Sequence, residues 1–325
     1  MKIYKIGIIG CGGIAKKMAA TLGKMKEVQR YAVASRNQEK AQAFANEWGF
    51  EKAYGSYEEL TNDPQVDLIY IATPHAMHYD NARMCIEKGK PVLCEKAFTA
   101  NARQAEELLS FAHEKKVFIT EAIWTRYMPL SLTIQDLLKK GVIGTPYTLS
   151  ANLSYPISDK ERIIRPELAG GALLDIGVYT LNFAAMAFGD DIAETHSACQ
   201  KTATGVDAQE SITLFYKDGK MATLQSSIYA QSDRIGVISG DKGHLIVENI
   251  NCPESVRVVD REYKTVAVYQ APEHITGYEY QVYASIEAIE KGWLESPYMP
   301  HAETLRIMRQ MDNLRKEWGV VYPCD

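Results

Sequence analysis

An apolar run from Tyr4 to Ile9, interrupted only by Lys5, breaks at Gly10-x-Gly12-x-x-Ala15, and a helical pattern follows Gly13. That order (buried strand, tight turn, helix N-terminus) restricts the start of this chain more than any other feature. Gly10 permits the turn, Gly12 leaves the backbone open to close approach, and the small Ala15 lets helix and strand pack closely. Gly13 and Ile14 begin the helix, where free N–H groups and the positive end of the helix dipole collect. Such a terminus receives phosphate, and this arrangement points to a dinucleotide.

The next strand narrows the choice of dinucleotide. Residues 28–34 read as a second strand and end in Ser35-Arg36. A site for NAD usually places Asp or Glu about 20 residues past the glycines, against the ribose hydroxyls. Here Ser35 stands at that position, and Arg36 and Lys40 follow. A carboxylate repels a 2′-phosphate, whereas a guanidinium binds it in two places. The expected cofactor is NADP rather than NAD.

At 325 residues the chain has room for two domains with sizeable cores. Its net charge is −5 and it has no long basic run, so neither nucleic acid nor a membrane is expected as a partner. The cysteines (Cys11, Cys85, Cys94, Cys199, Cys252 and Cys324) are scattered. They suit a reducing compartment and indicate neither a disulfide framework nor a metal site. The apolar run at 4–9 is short for a signal peptide. The most membrane-like stretch, 172–188, carries Asp175 and Asn182 inside it and reads as a buried helix. A cytoplasmic location is expected.

Strand-like runs at 2–9, 28–34, 66–72, 91–94 and 117–120 alternate with helical patterns after Gly13 and over 38–48, 78–88 and 100–115. This is the signature of a doubly wound parallel sheet, an NAD(P)-binding Rossmann domain over 1–121. A short strand at 52–54 precedes Ser56, the N-cap of a small helix, and another helix follows Pro129. From Gly144 the period becomes two, over 147–153, 210–216, 221–228, 235–240, 244–248, 256–260 and 265–269. Hairpin turns such as Lys217-Asp218-Gly219-Lys220 join some of these runs. Residues 122–325 therefore read as an α+β domain with a large, mostly antiparallel, open-faced sheet. Helices at 171–188 and 278–291 are expected to cover one face. The other face is left for a second subunit, which makes a homodimer the expected assembly. The last helix, 301–318, is expected to pack back on the first domain.

Ligands of parallel sheets bind beyond the carboxyl ends of the strands. At one end lie Ala72-Thr73-Pro74-His75, with His78 one turn on. The small residues let a cofactor lie against the backbone, and either histidine is placed to touch the nicotinamide ribose or to cap the helix. At another end Glu95-Lys96 follows a short buried strand, as a charged pair in the site or as a surface ion pair. At the crossover out of the first domain, Trp124 offers an apolar wall and Arg126 a fixed cation. In the second domain Gly170-Gly171 opens an apolar helix that spends Asp175 and Tyr179 on one face, four residues apart. Those two side chains either line a ligand site or satisfy each other.

Taken together, Gly10-Cys11-Gly12-Gly13-Ile14-Ala15, Ala72-Thr73-Pro74, Glu95-Lys96 and Gly170-Gly171-x-x-x-Asp175-x-x-x-Tyr179 resemble the glucose–fructose oxidoreductase/inositol dehydrogenase (Gfo/Idh/MocA) family over essentially the full chain. The stretches 121–126 and 175–179 are similar to its dimeric dihydrodiol dehydrogenase branch. The resemblance implies NADP-linked oxidation of a secondary alcohol in a sugar, polyol or trans-dihydrodiol, or the reverse reduction. It also implies a catalytic triad of Lys96, Asp175 and Tyr179, and dimerisation through open sheet faces. Trp124, and Tyr155 in the loop 155–165 that sets specificity, are expected to join those three around the substrate. Two positions depart from the family pattern. Ala97 replaces the usual proline after Glu-Lys, which leaves the bond before it open between cis and trans. Tyr179 stands where many members carry histidine.

An ordinary tyrosine, with a pKa near 10, is a poor base at neutral pH. A neighbouring ammonium favours its phenolate. The expected roles are Tyr179 as acid/base, Lys96 as electrostatic tuner and hydroxyl anchor, and Asp175 as orienter; exchanging Tyr179 and Lys96 is the alternative. Rival readings are an aldose dehydrogenase, an anhydro-ketose reductase and a non-catalytic NADP-binding regulator. The regulator has no need of Lys96, Asp175 and Tyr179 together.

Overall fold

The computed structural model describes residues 2–325 and resolves them into two compact units. The first contains residues up to Ile123 together with His274–Arg309; the second contains Trp124–Glu273 and Gln310–Asp325.

Among the described residues, six strands form the sheet of the first unit: β1 (Tyr4–Ile9), β2 (Val28–Ala34), β3 (Lys52–Tyr54), β4 (Leu68–Ile71), β5 (Val92–Glu95) and β6 (Ile119–Ala122). All pair in parallel, in the order β3-β2-β1-β4-β5-β6. Continuous apolar runs such as Leu68–Ile71 are what strands covered on both faces require. The connecting helices are α1 (Gly13–Leu22), α2 (Gln38–Trp48), α3 (Tyr57–Asn62), α4 (His78–Glu87) and α5 (Ala102–Lys115). Each start has a local cause. Asn37 accepts the Lys40 N–H at 2.8 Å to cap α2. Ser56 and Glu59 form a reciprocal capping box on α3, and Asn101 caps α5 through the Gln104 N–H. The order of the sheet reverses at β1, between β2 and β4, so a crevice opens beyond the carboxyl ends of those strands. The Lys96–Ala97 peptide, left open by the sequence, is cis.

The second unit is built on eight strands: β7 (Pro146–Ser154), β8 (Ile192–Lys201), β9 (Asp207–Tyr216), β10 (Met221–Ser227), β11 (Gly236–Gly240), β12 (Gly243–Glu248), β13 (Ser255–Asp260) and β14 (Thr265–Gln270). Their order is β14-β13-β12-β11-β7-β10-β9-β8, antiparallel except where β7 meets β10. The edge strand β8 was not legible in the sequence. Its residues are polar or small nearly throughout and lie mostly exposed, so they carry no alternation. Between β8 and β9 the register slips, and Gln200 pairs with Gln209 while Lys201 pairs with Asp207. The extra residue, Ala208, is a bulge that turns Asp207 to the inner face, where Glu210 already stands by alternation with Ile212 and Leu214.

Helix α6 (Pro129–Lys139), the short α7 (Glu161–Ile164), a five-residue π-turn at Leu173–Gly177 and α8 (Val178–Phe188) complete this part of the chain. The π-turn and α8 pack on the inner face, against Leu149, Ala151, Ile212, Leu214, Ala222 and Leu224. The stretch at 172–188 is thus a buried core helix, as its composition suggested.

Two expected packings change. Helix α9 (Glu279–Lys291) belongs to the first unit, where the Tyr4 hydroxyl donates to Glu290 and Tyr283 donates to Glu27. A helical period shows that a face is apolar without showing what covers it. The last helix, α10 (His301–Trp318), is shared. His301 bonds the Ile119 carbonyl in the first unit, whereas Arg315 pairs with Asp312 and Asp325 in the second.

Candidate functional site

The glycine turn closes β1 as expected. Gly10 has φ +105°, and a Cβ there would lie 2.8 Å from the Ala72 carbonyl oxygen, so the turn demands glycine twice over. Gly12 is the extended N-cap of α1, with no side-chain cap. A Cβ at Gly12 would meet only Ala72 O, 4.0 Å away, and one at Gly13 nothing within 4 Å. Space is thus open beside Gly12 and Gly13 at the start of α1, whose first N–H groups have no acceptor within the helix, as a pyrophosphate cradle requires.

Beside it, Ser35 is buried and its hydroxyl accepts the Asn37 N–H, while Arg36 and Lys40 are exposed. Burial pushes the Tyr57 phenol up, with the Arg36 charge beside it opposing. Burial also raises the Cys11 thiol, against the pull of Lys40. Arg36, Lys40, Tyr57 and Cys11 thus gather at the end of β2. Tyr57 was missed in the sequence, although the Ser56 cap directly before it fixes where it falls.

At the end of β4, Thr73 Oγ1 accepts from Asn81 at 3.0 Å. His78 is wholly buried, and its two ring nitrogens lie 2.8 Å from the Ala97 and Thr73 carbonyl oxygens. Burial lowers its basicity. The buried His78 ring thus packs between the turns after β4 and β5. His75 is also buried, with its ring edge-on to His78. Glu95 lies inside the unit and not on its surface. It is buried, accepts the Tyr70 hydroxyl, and receives the Lys96 N–H at 3.3 Å.

In the second unit the π-turn places Asp175 with its carboxylate 2.7 Å from Arg162 Nη1. The Tyr179 hydroxyl accepts the indole N–H of Trp124 at 3.0 Å. Asp175, Trp124 and Tyr179 are all buried. Arg126 is buried too, its Nε donating to Asn182 at 2.6 Å. Tyr155 reaches Asn251 at 3.4 Å. Arg162 was not singled out in the sequence, because a charge in a loop gives no sign of its partner.

The first sheet matches the family described as an oxidoreductase family with an NAD-binding Rossmann fold, over residues 4–122. Residues 131–246 match the GFO/IDH/MocA C-terminal domain. The chain belongs to the Gfo/Idh/MocA family. As a member it is a nicotinamide-dependent oxidoreductase. It is 37% identical over 327 residues to trans-1,2-dihydrobenzene-1,2-diol dehydrogenase of Xenopus laevis, covering 98% of this chain and 99% of that one. The Homo sapiens enzyme of the same name is 34% identical over 330 residues, covering 98% of both. Among solved structures, a 3-ketoreductase from Actinomadura kijaniata in complex with NADP and TDP-benzene aligns with TM-score 0.87 at 24% identity, covering 97% and 98% of the two chains. A levoglucosan dehydrogenase in complex with NADH aligns with TM-score 0.87 at 17% identity, covering 98% and 97%. These structural matches establish the two-domain fold.

Proposed function

We propose that this Gfo/Idh/MocA enzyme uses NADP to interconvert a secondary alcohol and its carbonyl in a trans-dihydrodiol, polyol or sugar. The observation that carries the reading is the polar set built into an otherwise apolar helix: Tyr179 held by Trp124, and Asp175 held by Arg162. Burying such groups in an apolar helix costs stability unless each is paired, and a helix that keeps two of them with their partners suits a ligand site. Arg36 and Lys40 at the end of β2, where NAD enzymes keep a carboxylate, support NADP. The full-length similarity to the dihydrodiol dehydrogenases supports the substrate class.

The bound nicotinamide supplies the hydride acceptor or donor. Tyr179 takes the proton of the substrate hydroxyl as hydride leaves carbon, and returns it in the reverse direction. The Lys96 ammonium favours the phenolate form and holds the reacting oxygen, and Asp175 orients a second hydroxyl. The test is an assay of purified protein on cyclic trans-diols, polyols and aldoses with each nicotinamide cofactor. Turnover of at least one alcohol, with kcat/KM higher for NADP than for NAD, supports the reading. Tight NADP binding with no turnover across the panel identifies the regulator instead.

A further inference from the structure

Asp207 and Glu210 are both essentially buried on the inner face of the second sheet, brought to one side by the bulge at Ala208. Above them lies the segment 171–179. Asp207 Oδ2 accepts the Leu173 N–H at 2.5 Å, and Oδ1 lies 2.3 Å from where a Cβ on Gly171 would stand. Two turns' worth of chain later, Glu210 Oε1 lies 2.5 Å from where a Cβ on Gly177 would stand, with the Ser226 hydroxyl beside it. Gly177 has φ −58° and ψ −31°, ordinary helical values, so it is not glycine for conformational reasons. What crowds a side chain there is Glu210 Oε1, with Leu173 Cδ1 at 3.1 Å behind it. Neither Glu210 oxygen has a well-aligned hydrogen bond among the described residues. Buried carboxyls are costly, and two on one face of a core sheet call for an explanation.

We propose that Asp207 and Glu210 are positioning residues for the reaction: Asp207 caps the first N–H groups of the π-turn, Glu210 packs against the bare face of Gly177, and together they set where Asp175 and Tyr179 stand. The inference rests on the placement of those two residues in the reacting site. Asp207 does its work as an acceptor from a helix N-terminus, where negative charge is favoured. Glu210 does its work as a neutral carboxylic acid, since burial and the Asp207 charge both press it to keep its proton. Glutamine keeps the size and neutrality of that acid, and alanine removes both.

The test compares Glu210→Gln, Glu210→Ala, Asp207→Asn, Asp207→Ala and Gly177→Ala in the full-length enzyme, with Tyr179→Phe as control. Each variant is checked for cofactor binding by nucleotide fluorescence and for melting temperature. Misplacement of a reacting group costs about tenfold to a hundredfold in rate. The alanine variants and Gly177→Ala should lose that much kcat while cofactor affinity stays within roughly twofold. Glu210→Gln and Asp207→Asn should recover most of the loss, which a role in stability alone does not require. In the Glu210→Ala background, Gly177→Ala should cost far less than it does alone, because its obstacle has gone. If Glu210→Ala fails to fold, Gly177→Ala by itself decides the matter. The inference is overturned if the folded alanine and Gly177→Ala variants keep kcat within roughly twofold of wild type while Tyr179→Phe abolishes it. Full activity of Tyr179→Phe overturns instead the role of Tyr179 on which the inference stands.

Discussion

Single residues divide into groups proposed to touch the ligand and groups that hold those in place. Tyr179 receives a hydrogen bond from Trp124 and is assigned the proton transfer in the proposed mechanism. Tyr179→Phe should lower kcat by about two to four orders of magnitude, the contribution of general acid–base catalysis, and leave NADP affinity unchanged by fluorescence titration. Arg36 is exposed at the end of β2, and on the proposed NADP reading it grips the 2′-phosphate in two places. Losing such a charge-assisted pair costs about 1.5–3 kcal/mol, roughly tenfold to a hundredfold in affinity. Arg36→Ala should therefore raise the KM for NADP by that factor and barely change the KM for NAD. Equal changes for both cofactors would remove Arg36 from the 2′-phosphate site. His78 illustrates the limit of reading residues singly: one turn past a strand end it suggests a ligand contact, and only coordinates show its ring buried between the Ala97 and Thr73 carbonyls.

At the scale of elements, what was legible followed from local chemistry. Asn37, Ser56 and Pro129 mark helix starts, and helices begin there. The Rossmann strands read as apolar runs because both faces are buried. The edge strand β8 did not read at all, because exposure lets polar residues fill it. Asp175 and Tyr179 were found by their oddity on an apolar helix. Glu210 offers the same signal, standing two before Ile212 in an inward-facing row, and it was passed over because a bulge, which no period announces, brings Asp207 alongside. Burial raises the Asp207 carboxyl to about 6 from an ordinary 3.8, so the folded chain holds a proton there that the unfolded chain has released. Its stabilising effect is complete below about pH 4 and is lost as pH rises through 6, by on the order of 3 kcal/mol. Arg315 opposes the shift, while Glu210, Cys199 and Tyr322 are the other titratable groups coupled to Asp207. Asp63 has the opposite sign: burial pushes it up, but Lys52 and Tyr54 hold it well below the usual range, so its contribution is lost on acidification. Urea unfolding at several pH values should show that Asp207→Asn lacks the decline between pH 4 and 6 that wild type carries. An unchanged slope would mean that this carboxyl titrates normally.

At the scale of the whole molecule, the outer face of the eight-stranded sheet is the unfinished surface. One cross-strand row on it runs His196, Thr213, Thr223, Ser150, Val237, Ile246, Arg257, Val268, mixing short polar with β-branched side chains. Such a face suits a second copy of the chain, related by a twofold axis that pairs like with like. Analytical ultracentrifugation should give twice the mass of one chain at micromolar concentration, and Ile246→Glu should return the monomer. A wild-type monomer under those conditions would leave the face to solvent. The central claim is that Lys96 and Tyr179 act on one substrate oxygen, beside the nicotinamide of NADP. A crystal structure with NADP and a slow trans-diol or polyol substrate tests it directly. The account predicts Lys96 Nζ and the Tyr179 hydroxyl both within about 3 Å of the same substrate oxygen. A substrate bound elsewhere, or one whose reacting oxygen meets neither group, would contradict it.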